Sequence, residues 1–212
     1  MAELSAEVVD VRVERYAAVP TLMWSLQVRE STGVRVHTVA LHAQVRIEPQ
    51  RRRYDEVEQD RLLDLFGVTS RWGETLRPFV WTHLDTMVSG FSHETVVDLP
   101  MACTYDFDVA GSKFLHGLDH GEVPLVFLFN GTVFTKGEAG FAAELVPWNL
   151  ECQYRLPVAL WREVMDAYFP GGGWLRLDRG TIDRLQRYRV EQALPTWEQA
   201  IAALLKAAGE DG

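Results

Sequence analysis

Cysteine is scarce here: Cys103 and Cys152 are the only two among 212 residues, and neither stands in a CxxC pair. This removes the usual sequence signs of a zinc ribbon or a thioredoxin-like redox motif. A disulfide would require the two thiols to be neighbours in space. No apolar run approaches the roughly 20 residues of a membrane helix. The start, MAELSAEVVDVRVE, has neither the basic nor the apolar region of a secretory signal. A cytoplasmic protein with reduced thiols and no membrane insertion is therefore expected.

Positive charge is in the minority, with 21 Lys and Arg against 30 Asp and Glu and a net charge of −9. Such a balance disfavours attraction to phosphate polyanions. The basic run Arg51-Arg52-Arg53 follows Pro49 without an aromatic ladder, so it reads as a solvated loop and no nucleic-acid partner is expected. Catalytic signatures are missing as well. VSGFSH does not fit the nucleophile elbow GxSxG, and FPGGGW follows a helical pattern and lacks the lysine of a phosphate loop. Internal repeats and low-complexity tracts are also absent.

What remains is an ordinary globular composition, 47% hydrophobic and 24% charged. In VVDVRVERY, Val9, Val11 and Val13 alternate with charged residues, the period-two mark of a strand with one wet face. Leu22, Trp24, Leu26 and Val28 repeat it, Gly33 turns the chain, and Val39, Leu41, Ala43, Val45 and Ile47 continue it until Pro49. Short connections suggest an antiparallel meander of three strands. Residues 56–66 switch to helical spacing, with Val57, Leu62, Leu65 and Phe66 on one stripe, Asp55 as cap and Gly67 as stop. Strands are expected over 76–88, 95–107 and 150–156, and a short helix over 109–118.

The stretch GEVPLVFLFNGTVFTK carries apolar residues on consecutive positions, so both of its faces need cover. Asn130-Gly131 admits either a type I′ hairpin turn or a bulge in one long strand. Very short hairpin arms favour the long strand. Three C-terminal helices follow Pro157, with stripes including Trp161, Ile182, Leu185, Trp197, Ile201 and Leu204, and are expected to cover the strand's second face. The expected fold is thus mainly β or α+β. An antiparallel β-sandwich over residues 1–156 carries short helical insertions, and helices over 157–212 pack on the same core as a single domain.

Candidate chemistry is thin. His116 and His120 stand one helical turn apart, and with a third ligand they could hold a metal. Gly117 and Gly121 loosen that turn, so solvated histidines and no bound metal or other cofactor are expected. His37 and His42, an odd number apart, should face opposite sides of their strand. Asp106 and Asp108 share a face but read as caps or solvated ends, and the cysteines read as buried small hydrophobes. Among the seven tryptophans, Trp24, Trp161 and Trp197 lie on apolar stripes, whereas Trp72, Trp81, Trp148 and Trp174 do not. These four are candidate anchors for a protein partner. Aromatic stacking on a sugar or another small molecule is the alternative, and a metal-dependent enzyme or metallochaperone using His116 and His120 is a third.

The segments LHAQVRIEPQRRRY, LFGVTSRWGETLRPFVWTH, CTYDFDVAGSKFLHGLDHGEVPLVFLFNGTVF and LPVALWREVMDAYFPGGGWLRL resemble an uncharacterised actinobacterial family of similar length, associated with gene neighbourhoods of NiFe hydrogenases. The resemblance spans nearly the whole chain and carries no assigned catalytic residue. It implies a non-enzymatic accessory protein in hydrogenase assembly or docking, with a hydrogenase subunit or maturation factor as partner. A homo-oligomer is compatible with it. SecB-type chaperones, which also place helices after an antiparallel sheet, offer a looser fold-level analogy.

Overall fold

The computed structural model describes residues 2–104, 106, 109–137, 140–172 and 175–210. In chain order the strands are β1 (Leu4–Val13), β2 (Thr21–Glu30), β3 (Val36–Ile47), β4 (Phe79–Phe91), β5 (Glu94–Ala102), β6 (Glu122–Gly137), β7 (Gly140–Leu145) and β8 (Glu151–Pro157). They form two antiparallel sheets, one ordered β1-β2-β5 and the other β4-β3-β6-β7, with β8 also paired to β6. β8 pairs with Glu122–Leu128 and β7 with Thr132–Gly137, so the two short strands lie in line along the edge of β6 opposite β3. The fold is mainly β and antiparallel, with short helices and a helical C-terminal segment, as the alternation predicts.

The core lies between the sheets. Leu22, Trp24, Leu26 and Val28 face it from β2, and Val39, Leu41, Ala43, Val45 and Ile47 from β3, all buried. The Trp24 ring meets Phe127 edge-on at 5.1 Å and Tyr154 at 5.4 Å. In β1 the register slips between Val8 and Asp10, leaving Val9 unpaired. Val8 is therefore buried and Val9 exposed, the reverse of the expected inward face.

The expected three-strand meander does not form, because β3 belongs to the second sheet. The corner between β2 and β3 explains the change. The Glu30 carboxylate, itself buried, accepts the N–H of Thr32 at 2.9 Å and of Gly33 at 2.8 Å. Gly33 takes φ +82°, a conformation that costs glycine little. A turn wrapped on its own carboxylate redirects the chain rather than folding it back beside β2. Pro100 sits on β5, which has a single strand neighbour in its sheet, as an edge proline should.

β6 is one 16-residue strand, so Asn130-Gly131 is not a hairpin turn. Nor is Gly131 a bulge, since pairing with β3 runs without a shift from His42↔Asn130 through Ala40↔Thr132. Glycine is needed there for close approach: a Cβ at position 131 would lie 2.0 Å from the Ala40 carbonyl oxygen, at φ +140°. The same point marks where β6 exchanges one edge partner for the other.

Phe127 and Phe129 are buried on the inner face of β6. On its outer face Val126 is buried and Leu128 half-buried. Val126 stands between Arg46 of β3 and Gln153 of β8 in the cross-strand register, where long polar side chains can lie over apolar surface.

The predicted helix over 56–66 is two, α1 (Glu56–Arg61) and α2 (Leu63–Phe66), broken at the buried Leu62. Asp55 caps α1 by accepting the Glu58 N–H at 2.8 Å. Glu58, not Val57, is the residue turned inward. Two short helices follow, α3 (Trp72–Thr75) and α4 (Ala110–His116).

α5 (Val158–Tyr168) packs against β1, β2 and β8 and buries Val158, Trp161, Val164 and Met165 in the sandwich core. The chain divides into two compact units, residues 1–174 and 175–212. The sandwich unit therefore includes α5. The second unit holds α6 (Arg179–Glu191) and α7 (Trp197–Ala207).

Candidate functional site

One end of the sandwich gathers polar chemistry from four segments: the turn at 49–53, α1, the loop at 118–122 and the C-terminal half of β8. At its centre Arg52 and Glu58 form an ion pair with side chains 6% and 0% exposed. Arg52 Nη2 donates to both Glu58 oxygens at 2.8 and 2.7 Å, and the Asp119 N–H donates to Oε1 at 3.0 Å. The Arg52 guanidinium also stacks over the Tyr54 ring at 4.8 Å. Burial raises the Tyr54 phenol well above its ordinary value, against the nearby positive charge of Arg52. The arginine run is thus not a solvated loop throughout. Its middle member is buried, because Glu58 supplies the charge that makes burial tolerable.

The two candidate metal histidines do not converge. His120 is exposed, its Nδ1 3.7 Å from Asp55, and with Asp55 and Glu58 it forms a group whose ligand atoms lie within 4.8 Å of one another. Glu58 already holds the Arg52 guanidinium on both oxygens, so a cation there would compete with a buried positive charge. His116 lies elsewhere, in a 430 Å³ depression with Arg61, Asp119 and Arg162. Partial burial, then the charges of Arg61 and Arg162, lower its pKa and favour the neutral imidazole. Asp119 accepts from Arg61 at 2.7 Å and from Arg162 at 2.6 Å.

The remaining candidates take structural places. Cys103 and Cys152 are free and buried, and burial pushes their thiols up to about 12 and about 11, which makes poor nucleophiles. Of the aspartate pair, Asp108 lies outside the described residues. A register shift at His37 breaks the odd–even rule of β3 and brings its ring 4.7 Å from Phe141, a residue of the outer face. His42, also on that face, pairs with Asp85 at 2.6 Å and stacks on His83.

Trp72 and Trp81 are half-buried and packed against the core. Trp72 donates its indole N–H to Gly67 O at 2.9 Å, and Trp81 lies so close to Gly111 that a Cβ there would meet its Cδ1 at 2.8 Å. Trp174 lies outside the described residues. Trp148 differs from these, at 93% exposed in the turn between β7 and β8.

Trp148 follows a strand with an apolar outer face. The register aligns Met87, Ala40, Thr132 and Leu145 in one row across β4, β3, β6 and β7. Phe141 and Ala143 share that face on β7, opposite Lys136 and Phe134. Leu145 is 82% exposed, Phe141 67% and Met87 60%. Among the described residues β7 has β6 as its one strand partner, so its far edge is open. Exposed contiguous apolar surface beside an open strand edge is characteristic of an association surface. Sequence reasoning named Trp148 but passed over Phe141 and Leu145. The available signal was GFAAEL, an apolar strand with a single charge and no proline to protect an edge.

Two stacked antiparallel sheets define the class: an all-antiparallel sandwich with appended helices. The chain belongs to a family of unknown function, DUF6084, whose model matches residues 1–212. No curated protein matches it. Among solved structures it is similar to the CARDB domain of the PF1109 protein from Pyrococcus furiosus in complex with di-metal ions, at 10% identity and TM-score 0.30, covering 74% of this chain and 92% of that one. It is also similar to a β-glucosidase from Kluyveromyces marxianus at 8% identity and TM-score 0.26, covering 73% of this chain and 15% of that one. The fimbrial subunit AggA from Escherichia coli stands at 8% identity and TM-score 0.27, with 74% and 94% covered. Likenesses at these TM-scores carry no argument about ligand or activity.

Proposed function

We propose that this protein is a non-enzymatic accessory protein that docks another protein through the outer face of β7 and the adjoining Trp148. The observation that carries the reading is the exposure of Leu145 and Phe141 on one face of the open-edged β7, with the exposed Trp148 in the turn that follows. A tryptophan held in a turn between strands offers a large contact area at low entropic cost, which suits a binding hot spot. The family resemblance directs this docking role to NiFe-hydrogenase assembly, with a hydrogenase subunit or maturation factor as the partner, in the cytoplasm.

The test is affinity capture from the native host with the wild-type chain and with Trp148→Ala and Leu145→Asp. A specific hydrogenase-related partner should be retained by the wild type. Trp148→Ala should weaken the complex by more than about 1–2 kcal/mol, with an unchanged circular dichroism spectrum and melting temperature. Equal retention by all three chains, or recovery of no specific protein, would overturn the docking surface.

A further inference from the structure

A second site lies at the N-terminal end of β6, away from Trp148, whose turn stands beside the middle of that strand. A cavity of about 680 Å³ is lined by Gln50, Arg51, Arg52, Arg53, His120, Gly121, Glu122 and Arg155. Its volume falls in the range of small-molecule sites. Four guanidinium groups and an imidazole line it against a single carboxylate, in a chain whose net charge is −9. The lining thus departs in sign from the chain as a whole, and the field it exerts depends on the acids that stand behind it.

The neighbouring acids offset much of this charge, because most of the cations they hold are themselves lining residues, and Arg53 is the guanidinium left over. Buried Glu48 holds Arg46 at 2.8 Å, Gln50 at 2.6 Å and Arg51 at 3.6 Å. Glu58 holds Arg52, as described above, and Asp55 lies 3.7 Å from His120. Glu122, the lining carboxylate, reaches Arg155 only at 3.9 Å. Arg53 is exposed and makes no ion pair among the described residues. In the cavity wall Arg52 is fixed by Glu58, by the Arg53 carbonyl at 3.2 Å and by Tyr54, yet its buried Nη1 has no hydrogen-bond partner among the described residues. A buried donor left without an acceptor is a standing cost.

We infer that this cavity binds a small molecule carrying a phosphoryl group. Planar guanidinium forks match phosphate oxygens two at a time, and several forks around one concavity suit a polyanionic head rather than a single carboxylate. The ligand is small because a chain whose net charge is −9 repels an extended polyanion such as RNA. The site is separate from the docking face, and neither reading depends on the other.

Isothermal titration calorimetry of the full chain with pyrophosphate tests this, with inorganic phosphate and citrate as parallel probes at constant ionic strength. The variants are Arg53→Gln/Arg155→Gln, both at exposed positions, and Arg71→Gln/Arg77→Gln as a charge-matched control outside the cavity. Wild type should bind pyrophosphate saturably, more tightly than inorganic phosphate and at least tenfold more tightly than citrate. The cavity variant should lose at least tenfold in affinity at an unchanged melting temperature, and the control variant should bind as wild type. No saturable binding would overturn the proposal, as would citrate binding as tightly as pyrophosphate. Equal weakening in the two double variants would also overturn it, because long-range charge and not the cavity would then be responsible.

Discussion

α5 and α7 are each 11 residues long and each amphipathic, yet they are held by different means. α5 has no side-chain cap at its N-terminus; Pro157 precedes it, and Val158, Trp161, Val164 and Met165 vanish into the sandwich core. In α7 Thr196 caps the first turn, and Ala200 is the one buried member of the helix. Trp197, Ile201, Leu204 and Leu205 all remain exposed. α6 repeats the pattern, capped by Asp178 and burying no residue, while Arg189 stacks over the Trp197 ring at 4.5 Å. The same periodicity thus yields a helix stabilised by burial in one unit and helices stabilised by local chemistry in the other.

The widest gap between the two units should appear on cutting large side chains to alanine. Phe127 is 0% exposed and meets both Trp24 and Phe129. Phe127→Ala should cost about 3–5 kcal/mol in urea unfolding, from lost transfer energy plus the cavity left behind. Leu204→Ala, on the half-exposed stripe of α7, should cost less than about 1 kcal/mol. Similar costs for the two substitutions would show that the contrast in burial has no energetic content.

Acid offers an intermediate effect. Burial alone would raise the Glu30 pKa, but the Thr32 hydroxyl and the N–H groups of Thr32, Glu3 and Gly33 outweigh it and hold the carboxyl at about 2, below the ordinary 4.5. A depressed folded-state pKa contributes stability that is complete above about 4.5 and is lost as pH falls toward about 2. Glu30→Gln should therefore lower stability at neutral pH by about 1–3 kcal/mol. It should also flatten the decline of wild type across that window, as read from melting temperatures at successive pH values. Parallel pH profiles would remove Glu30 from the account of the β2–β3 corner.

Much of the sandwich was legible because alternation reports faces directly. Leu22 to Val28 and Val39 to Ile47 are buried where period two places them. Alternation does not report partners, so β3 was assigned beside β2 when the Glu30 corner sends it to the opposite sheet. Nor does it report slips: one unpaired residue each at Val9 and His37 inverts the faces that follow. Glu58 was illegible for another reason. A stripe reading assigns glutamate to water, and nothing local marks Arg52 as its buried partner. The candidate surface was legible only as a set of off-stripe tryptophans. Trp72 and Trp81 were separated from Trp148 by packing alone, through residues such as Gly67 and Gly111 that are distant in sequence or unremarkable in composition.

The smallest expected effect isolates the local chemistry of the C-terminal unit. Asp178 accepts the Thr181 N–H at 2.9 Å, and Thr196 accepts the Gln199 N–H at 3.2 Å, each satisfying a donor that the first helical turn leaves open. The Thr181 hydroxyl, then its N–H, lower the Asp178 pKa, so this cap is present as the carboxylate at neutral pH. Asp178→Ala should destabilise α6, and Thr196→Ala should cost about 1 kcal/mol of stability in α7. The loss should be confined to faster amide hydrogen exchange over 179–191 for the first and 197–207 for the second. Amides of β2, β3 and β6 should keep their protection, since their opening requires exposure of the Trp24–Phe127 core and not the fraying of a capped helix. Unchanged exchange in both helices would mean that burial, not capping, holds them, and the division drawn between α5 and α7 would fail.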